Sequence, residues 1–201
     1  VVDWEGRVVA GARGHETPQL GERFDHLVVN PPWHVPDSIA RAEILPKGHD
    51  YLAANNMYLD DGRVIPRPGP QAALGRVKFD MQNRYAIYLH DTPAQHLFSR
   101  PVRAFSHGCI RTHAVRDFAA ELLAPTGQWD RGAIDRAIAT GDNQQVPLAA
   151  PIPVYIAYFT AAATTDGGIV TYADIYGRDA PVRQALNRHG GGGSSQASFA
   201  D

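Results

Sequence analysis

Three prolines in seven residues, NPPWHVP at 30–36, exclude a helix there and force the chain to run extended. The same punctuation returns at 60–81, DDGRVIPRPGPQAALGRVKFDM, which reads as a long Gly- and Pro-rich loop ending in a strand, GRVKF. Pro93 and Pro101 make a surface loop of 92–106. Helices are confined to the windows left over. Asp37 caps SIARAEIL, which Pro46 stops, and HDYLAANN adds a helical turn or two. In THAVRDFAAELL, Val115, Phe118, Ala119, Leu122 and Leu123 fall at helical spacing behind a Thr112 N-cap. A second helix, WDRGAIDRAIATG, starts at Asp130 and ends at Gly141. Strands are expected around Glu5-Gly6 in the opening stretch, at FDHLVVN (24–30) and at RYAIYLHD (84–91). PVYIAYFTAAA and GIVTYADIYG are read as two more, joined through Asp166-Gly167-Gly168. The tail, HGGGGSSQASFAD, has a flexible composition. The pattern predicts a β-rich α+β fold or a β-sandwich with a few helices.

The length of 201 residues suits one domain, with room for a small insert, and an apolar fraction of 44% can fill its core. A net charge of −2 gives no reason to expect a nucleic-acid partner. No run of 18 apolar residues is present, so no membrane span is expected. The single cysteine excludes an internal disulfide. The chain opens without a Met and without the look of a signal peptide, so it is expected to be a mature fragment.

That cysteine, Cys109, stands in FSHGCIRTH, 105–113. A lone Cys is usually a small buried hydrophobe. Here Gly108 precedes it, and Ser106, His107, Arg111 and His113 surround it. A helix is expected shortly after it, and unpaired N–H groups at a helix start favour the thiolate. Backbone N–H groups around Gly108 can face an oxyanion. The base is open among His90, His96, His107 and His113, four of the nine histidines within one short window. His90 ends a strand, and Tyr88 points the same way because side chains alternate. Asp91 projects elsewhere, which makes it a poor orienting group. His96 and His113 read more readily as surface residues. His15, His26, His34, His49 and His189 have no supporting context. Trp33 reads more readily as a packing residue than as a substrate platform. Zinc on His90, His107 and Cys109 is disfavoured, because His-x-Cys lacks the usual ligand spacing.

His90, fifteen residues (91–105), then Ser-His-Gly-Cys-Ile-Arg resembles the signature of the L,D-transpeptidase (YkuD-type) catalytic domain. The segments ETPQL, VVNPPWHVP, RPGPQAALGRVKF, AIYLHDTPAQHLF and DIYGRD are similar, in order, to the large periplasmic Gram-negative branch of that family, over residues 6–186. The resemblance implies a YkuD-like β-sandwich over 1–186, a capping insert at about 33–70 and a flexible tail at 187–201. It implies Cys109 as nucleophile, His90 as base, and Ser106 supporting the thiol and imidazole. His107 and Gly108 belong to the catalytic loop, with oxyanion donors in the backbone of 107–109. Arg111, Tyr88 and Trp33 would face substrate. The implied substrates are peptidoglycan tetrapeptide stems, donor and acceptor, joined 3→3 with release of D-Ala and with no metal or organic cofactor. The implied location is the periplasm, and carbapenems are expected to acylate Cys109. An L,D-carboxypeptidase, a D-amino-acid exchanger or a lipoprotein-anchoring enzyme would use the same site. A non-catalytic peptidoglycan-binding domain would be expected to have lost the Cys or the His, and both are present. Relatives of this branch carry an earlier strand, a peptidoglycan-binding module and a longer insert. None is found in these 201 residues, so weak substrate affinity is expected.

Overall fold

The computed structural model describes residues 4–67, 69 and 71–190. Contacts divide the chain into two units, Val1–Ile156 and Ala157–Asp201. In chain order the first unit holds β1 (Val8–Gly11), β2 (Leu20–Val29), α1 (Asp37–Ile39), α2 (Gly48–Ala54), β3 (Met57–Asp60), β4 (Arg63–Pro66), β5 (Val77–Asp80) and β6 (Leu89–His90). It continues with β7 (Ala104–Ser106), β8 (Ile110–Thr112), α3 (Val115–Leu123), α4 (Arg131–Thr140) and β9 (Gln144–Ile156). Seven strands form one sheet in the order β7-β1-β8-β6-β5-β2-β9. The β1–β7 and β6–β8 pairs are parallel and the rest antiparallel. The fold is therefore mixed α+β, a multi-stranded sheet with a few helices.

Alternation along β5 divides the sheet into two chemically different faces. Val77 and Phe79 are 0% exposed and pack with Val115, Ala119, Leu122 and Leu123 of α3, Ile134 of α4, and Leu27 and Val29 of β2. Full burial of each large apolar side chain stabilises the fold by about 1.5–3 kcal/mol. Lys78 and Asp80 look the other way, and Lys78 shares a cross-strand row with His90 and Arg111. The apolar face thus anchors the helices, while the opposite face carries charge and imidazole.

β9 contains Pro147, Pro151 and Pro153, and it lies at the sheet edge, where a missing N–H is tolerated. The strand read at 153–163 consequently begins earlier, at Gln144, and ends at Ile156. Other expectations shift as well. The strand at 84–91 shrinks to Leu89–His90, because Asn83 organises a turn before it. The Asn83 carboxamide oxygen accepts from the N–H groups of Tyr85 and Ile87, its amide donates to the Ile87 carbonyl, and Ala86 sits at φ +52°. Thr112 is not a helix cap: it is buried in β8, and the N-cap of α3 is Ala114 at φ +49°. The opening stretch yields one strand, Val8–Gly11, with residues 1–3 outside the described residues. SIARAEIL begins as α1, then widens into a π-turn over Ala40–Ile44 and tightens to 3-10 at Leu45–Lys47. The Gly/Pro-rich loop at 60–81 carries half of the β3–β4 hairpin, and the loop at 92–106 holds a 3-10 turn, Gln95–Ser99, and β7. The segment 33–70 has a small core of its own, Ala40, Ile44, Leu52 and Val64.

α4 matches its sequence signals. Asp130 accepts a hydrogen bond from the Ala133 N–H at 2.6 Å, and Gly141 closes the helix at φ +78°. Asp130→Ala is expected to lower stability by about 1 kcal/mol. The urea midpoint should fall with the slope unchanged.

The second unit contains the antiparallel hairpin of β10 (Ala161–Ala163) and β11 (Ile169–Thr171), then α5 (Asp179–Gly190). Its polar hub is Asp174, which accepts from the Tyr158 hydroxyl at 2.8 Å and from the Arg178 and Asp179 N–H groups at 2.9 Å. Residues 187–190 close α5, and the remainder of the expected tail lies outside the described residues.

Candidate active site

The parallel register of β6 and β8 sets Leu89 opposite Ile110 and His90 opposite Arg111. The Ile110 N–H donates to the Tyr88 carbonyl at 3.0 Å, which brings Cys109 beside Tyr88, each one residue ahead of its strand. The thiol donates to the Ala86 carbonyl at 3.7 Å. The His90 ring stands edge-on to Tyr88 with centroids 5.7 Å apart.

His90 is buried, and its Nδ1 lies 2.5 Å from the Asp91 carbonyl oxygen. A carbonyl only accepts, so Nδ1 carries the proton and Nε2 is the basic nitrogen of the neutral ring. Burial pushes the imidazole down to about 4, the Arg111 and Lys78 cations add to that, and the carbonyls of Asp91 and Leu74 oppose it. Burial pushes the Cys109 thiol up, against the Tyr88 hydrogen bonds and the attraction of Lys78 and Arg111. At neutral pH the cysteine is therefore a thiol and the imidazole neutral. Burial also pushes the Tyr88 phenol above its ordinary range. Arg111 is partly desolvated, and its Nε is buried without a hydrogen-bond partner.

The loop ahead of Cys109 is pinned from two sides. The Ser106 hydroxyl donates to the Cys109 carbonyl at 2.5 Å and accepts from the Gly108 N–H at 3.2 Å. The Gly108 carbonyl accepts from the buried Thr17 hydroxyl at 2.8 Å, and Thr17 accepts in turn from the Gly11 N–H at 2.9 Å. Gly108 lies at φ +112°, where a side chain is strained. Thr17 belongs to the ETPQL stretch, and nothing local in the sequence ties it to a loop 91 residues away.

The structure gathers Cys109, Tyr88, His90, Ser106, Gly108 and Arg111. It sets two other sequence candidates against the segment 33–70. His107 Nε2 pairs with Glu43 Oε1 at 2.6 Å while its ring lies 4.8 Å from that of His15. Trp33 packs against the small core of that segment. His113 stacks edge-on to Phe98 at 5.1 Å. Among the described residues no three His, Cys, Asp or Glu side chains converge as a metal site, so the trio weighed for zinc does not assemble. Nor is any helix among them long and apolar enough to cross a membrane. Lys78 was missed by sequence reading, since only the register of β5 against β6 brings it next to His90.

A thiol, a neutral imidazole and a pinned glycine loop on adjoining strands have the parts of a thiol-based acyl-transfer site. The family model for the L,D-transpeptidase catalytic domain, YkuD, matches residues 1–154, and the chain belongs to that family. It is similar to a Haemophilus influenzae protein named "Putative L,D-transpeptidase", with 31% identity over 204 residues, covering 90% of this chain and 41% of that protein. The chain thus spans about two fifths of the length of that curated relative.

Proposed function

We propose that this chain is a Cys109-dependent L,D-transpeptidase of the periplasm, of the Gram-negative branch, that forms 3→3 peptidoglycan crosslinks. The observation that supports the reading is the β6–β8 register, which sets Cys109 beside Tyr88 and His90 opposite Arg111 on the same pair of strands. As Sγ attacks the carbonyl of the third stem residue, His90 Nε2 takes the thiol proton. The tetrahedral oxyanion is met by backbone N–H groups of His107 and Cys109, the Gly108 N–H being engaged by Ser106. Collapse breaks the peptide bond, His90 gives its proton to the departing D-Ala amine, and a thioester remains. A side-chain amine of a second stem then attacks the thioester, loses its proton to His90 and releases the thiol. Arg111, with its unpartnered buried Nε, is assigned to substrate, and Tyr88 lines the same wall. Trp33 reaches substrate only through the shape of the insert it packs into.

Intact mass after mixing with a carbapenem tests this. A single covalent adduct is expected on the wild type and none on Cys109→Ala. A folded wild type that forms no adduct contradicts the proposal, as does an adduct that persists in Cys109→Ala.

A further inference from the structure

We propose that Lys78 is a positioning residue for the Cys109 thiolate, acting through the ring and hydroxyl of Tyr88. Its Nζ stands 4.5 Å from the centroid of the Tyr88 ring, and the Ile110 N–H donates to the Tyr88 carbonyl, which sets Tyr88 beside Cys109. A cation on the face of a phenol draws density from the ring, which makes the O–H a stronger donor to an anion beside it. Lys78 is held in that place by Asp80 Oδ1 at 3.1 Å, and Asp80 Oδ2 is in turn 3.6 Å from His26 Nε2 on β2. The Lys78 side chain is only 21% exposed, so its charge acts through less water than a surface lysine's.

The register adds a second effect. Lys78 faces His90 from β5 while Arg111 faces it from β8, so the imidazole lies between two cations. When the S–H bond breaks and the proton goes to His90 Nε2, the products are thiolate and imidazolium. Lys78 stabilises the first and opposes the second. The proton is thereby favoured to move on from His90 to the departing amine. The groups facing this charge system are Lys78 and Asp80 on β5, His26 on β2, His90 on β6 and Arg111 on β8. The inference rests on Cys109 being the nucleophile, and it concerns the sulfur's proton rather than the identity of the acyl acceptor.

The chain has one cysteine, so alkylation by iodoacetamide, followed by intact mass across pH, reports Cys109 alone. Lys78→Met is expected to move the alkylation midpoint upward by about one pH unit, a roughly tenfold slower reaction below the midpoint. Lys78→Arg should restore the wild-type profile, which a packing role for the lysine stem would not require. Lys78→Gln removes the charge and keeps a polar side chain, and should move the midpoint upward as Lys78→Met does. A folded Lys78→Met protein with the wild-type midpoint overturns the proposal. If Lys78→Met does not fold, Lys78→Gln decides, and an unmoved midpoint there overturns it equally. The readout needs no peptidoglycan: a Lys78-dependent midpoint in a protein that forms no carbapenem adduct would remove the transpeptidase reading and leave this one standing.

Discussion

His90→Gln cuts the rate of carbapenem acylation of Cys109 by about 10²–10⁴-fold at neutral pH, the range that loss of a positioned base produces. The wild-type rate should rise through pH of about 4, where the buried imidazole becomes neutral, and then hold across the range where an ordinary histidine would still be titrating. The variant should lack that acid limb. Stability carries the same signature. His90's folded pKa, about 4, lies below its unfolded value of 6.5, so between those values the unfolded chain binds the extra proton. Stability is therefore full above about pH 6.5, falls as the pH drops and has lost this contribution below about pH 4. The loss amounts to about 3 kcal/mol. Urea midpoints of the wild type should decline over that window, and those of His90→Gln should decline less. Acylation at the wild-type rate in a folded His90→Gln protein would remove His90 from the mechanism.

What was legible in the sequence was local. Asp130 and Gly141 bracket a helix through short-range hydrogen bonds and a positive φ, and both act as their types suggest. The amphipathic run 115–123 became α3 because its apolar stripe had a sheet to cover. The hairpin at Asp61-Gly62, with both residues at positive φ, passed unread although Asp-Gly is a strong turn signal, because the prolines after it made the whole stretch look like loop. Strand formers at 84–88 were overridden by a single side chain, Asn83, whose bonds offer the backbone another partner. The candidate site divides similarly. Cys109 and its glycine could be singled out from neighbours, whereas the choice of His90 among four histidines came only from a family resemblance. Lys78, Thr17 and Glu43 reach the catalytic loop through register or through contacts 64 and 91 residues apart, and no local pattern records those distances.

Gly108→Ala should lower carbapenem acylation by about 10²–10³-fold, the cost of losing a well-placed oxyanion donor, while leaving Cys109 alkylation by iodoacetamide close to the wild-type rate. Two constraints meet at this residue. Its φ of +112° strains any side chain, and an added Cβ would lie 3.0 Å from Ile87 Cδ1, so the loop must rotate or Ile87 must give way. The Gly108 carbonyl is meanwhile held by Thr17, which keeps the loop from relaxing without breaking a buried hydrogen bond. Rotation therefore turns the peptides on either side of the sulfur, and a displacement on the order of 1 Å is enough for the expected rate loss. A small electrophile that needs only the thiol does not sense that displacement, so the two reagents separate loop geometry from thiol chemistry. Thr17→Val approaches the same loop from behind. It removes the buried hydrogen bond to the Gly108 carbonyl, at about 1–3 kcal/mol, and should reproduce part of the acylation deficit with the glycine intact. Equal losses against both reagents in Gly108→Ala would mean that the substitution has moved the thiol itself, and the deficit would then not be one of oxyanion stabilisation.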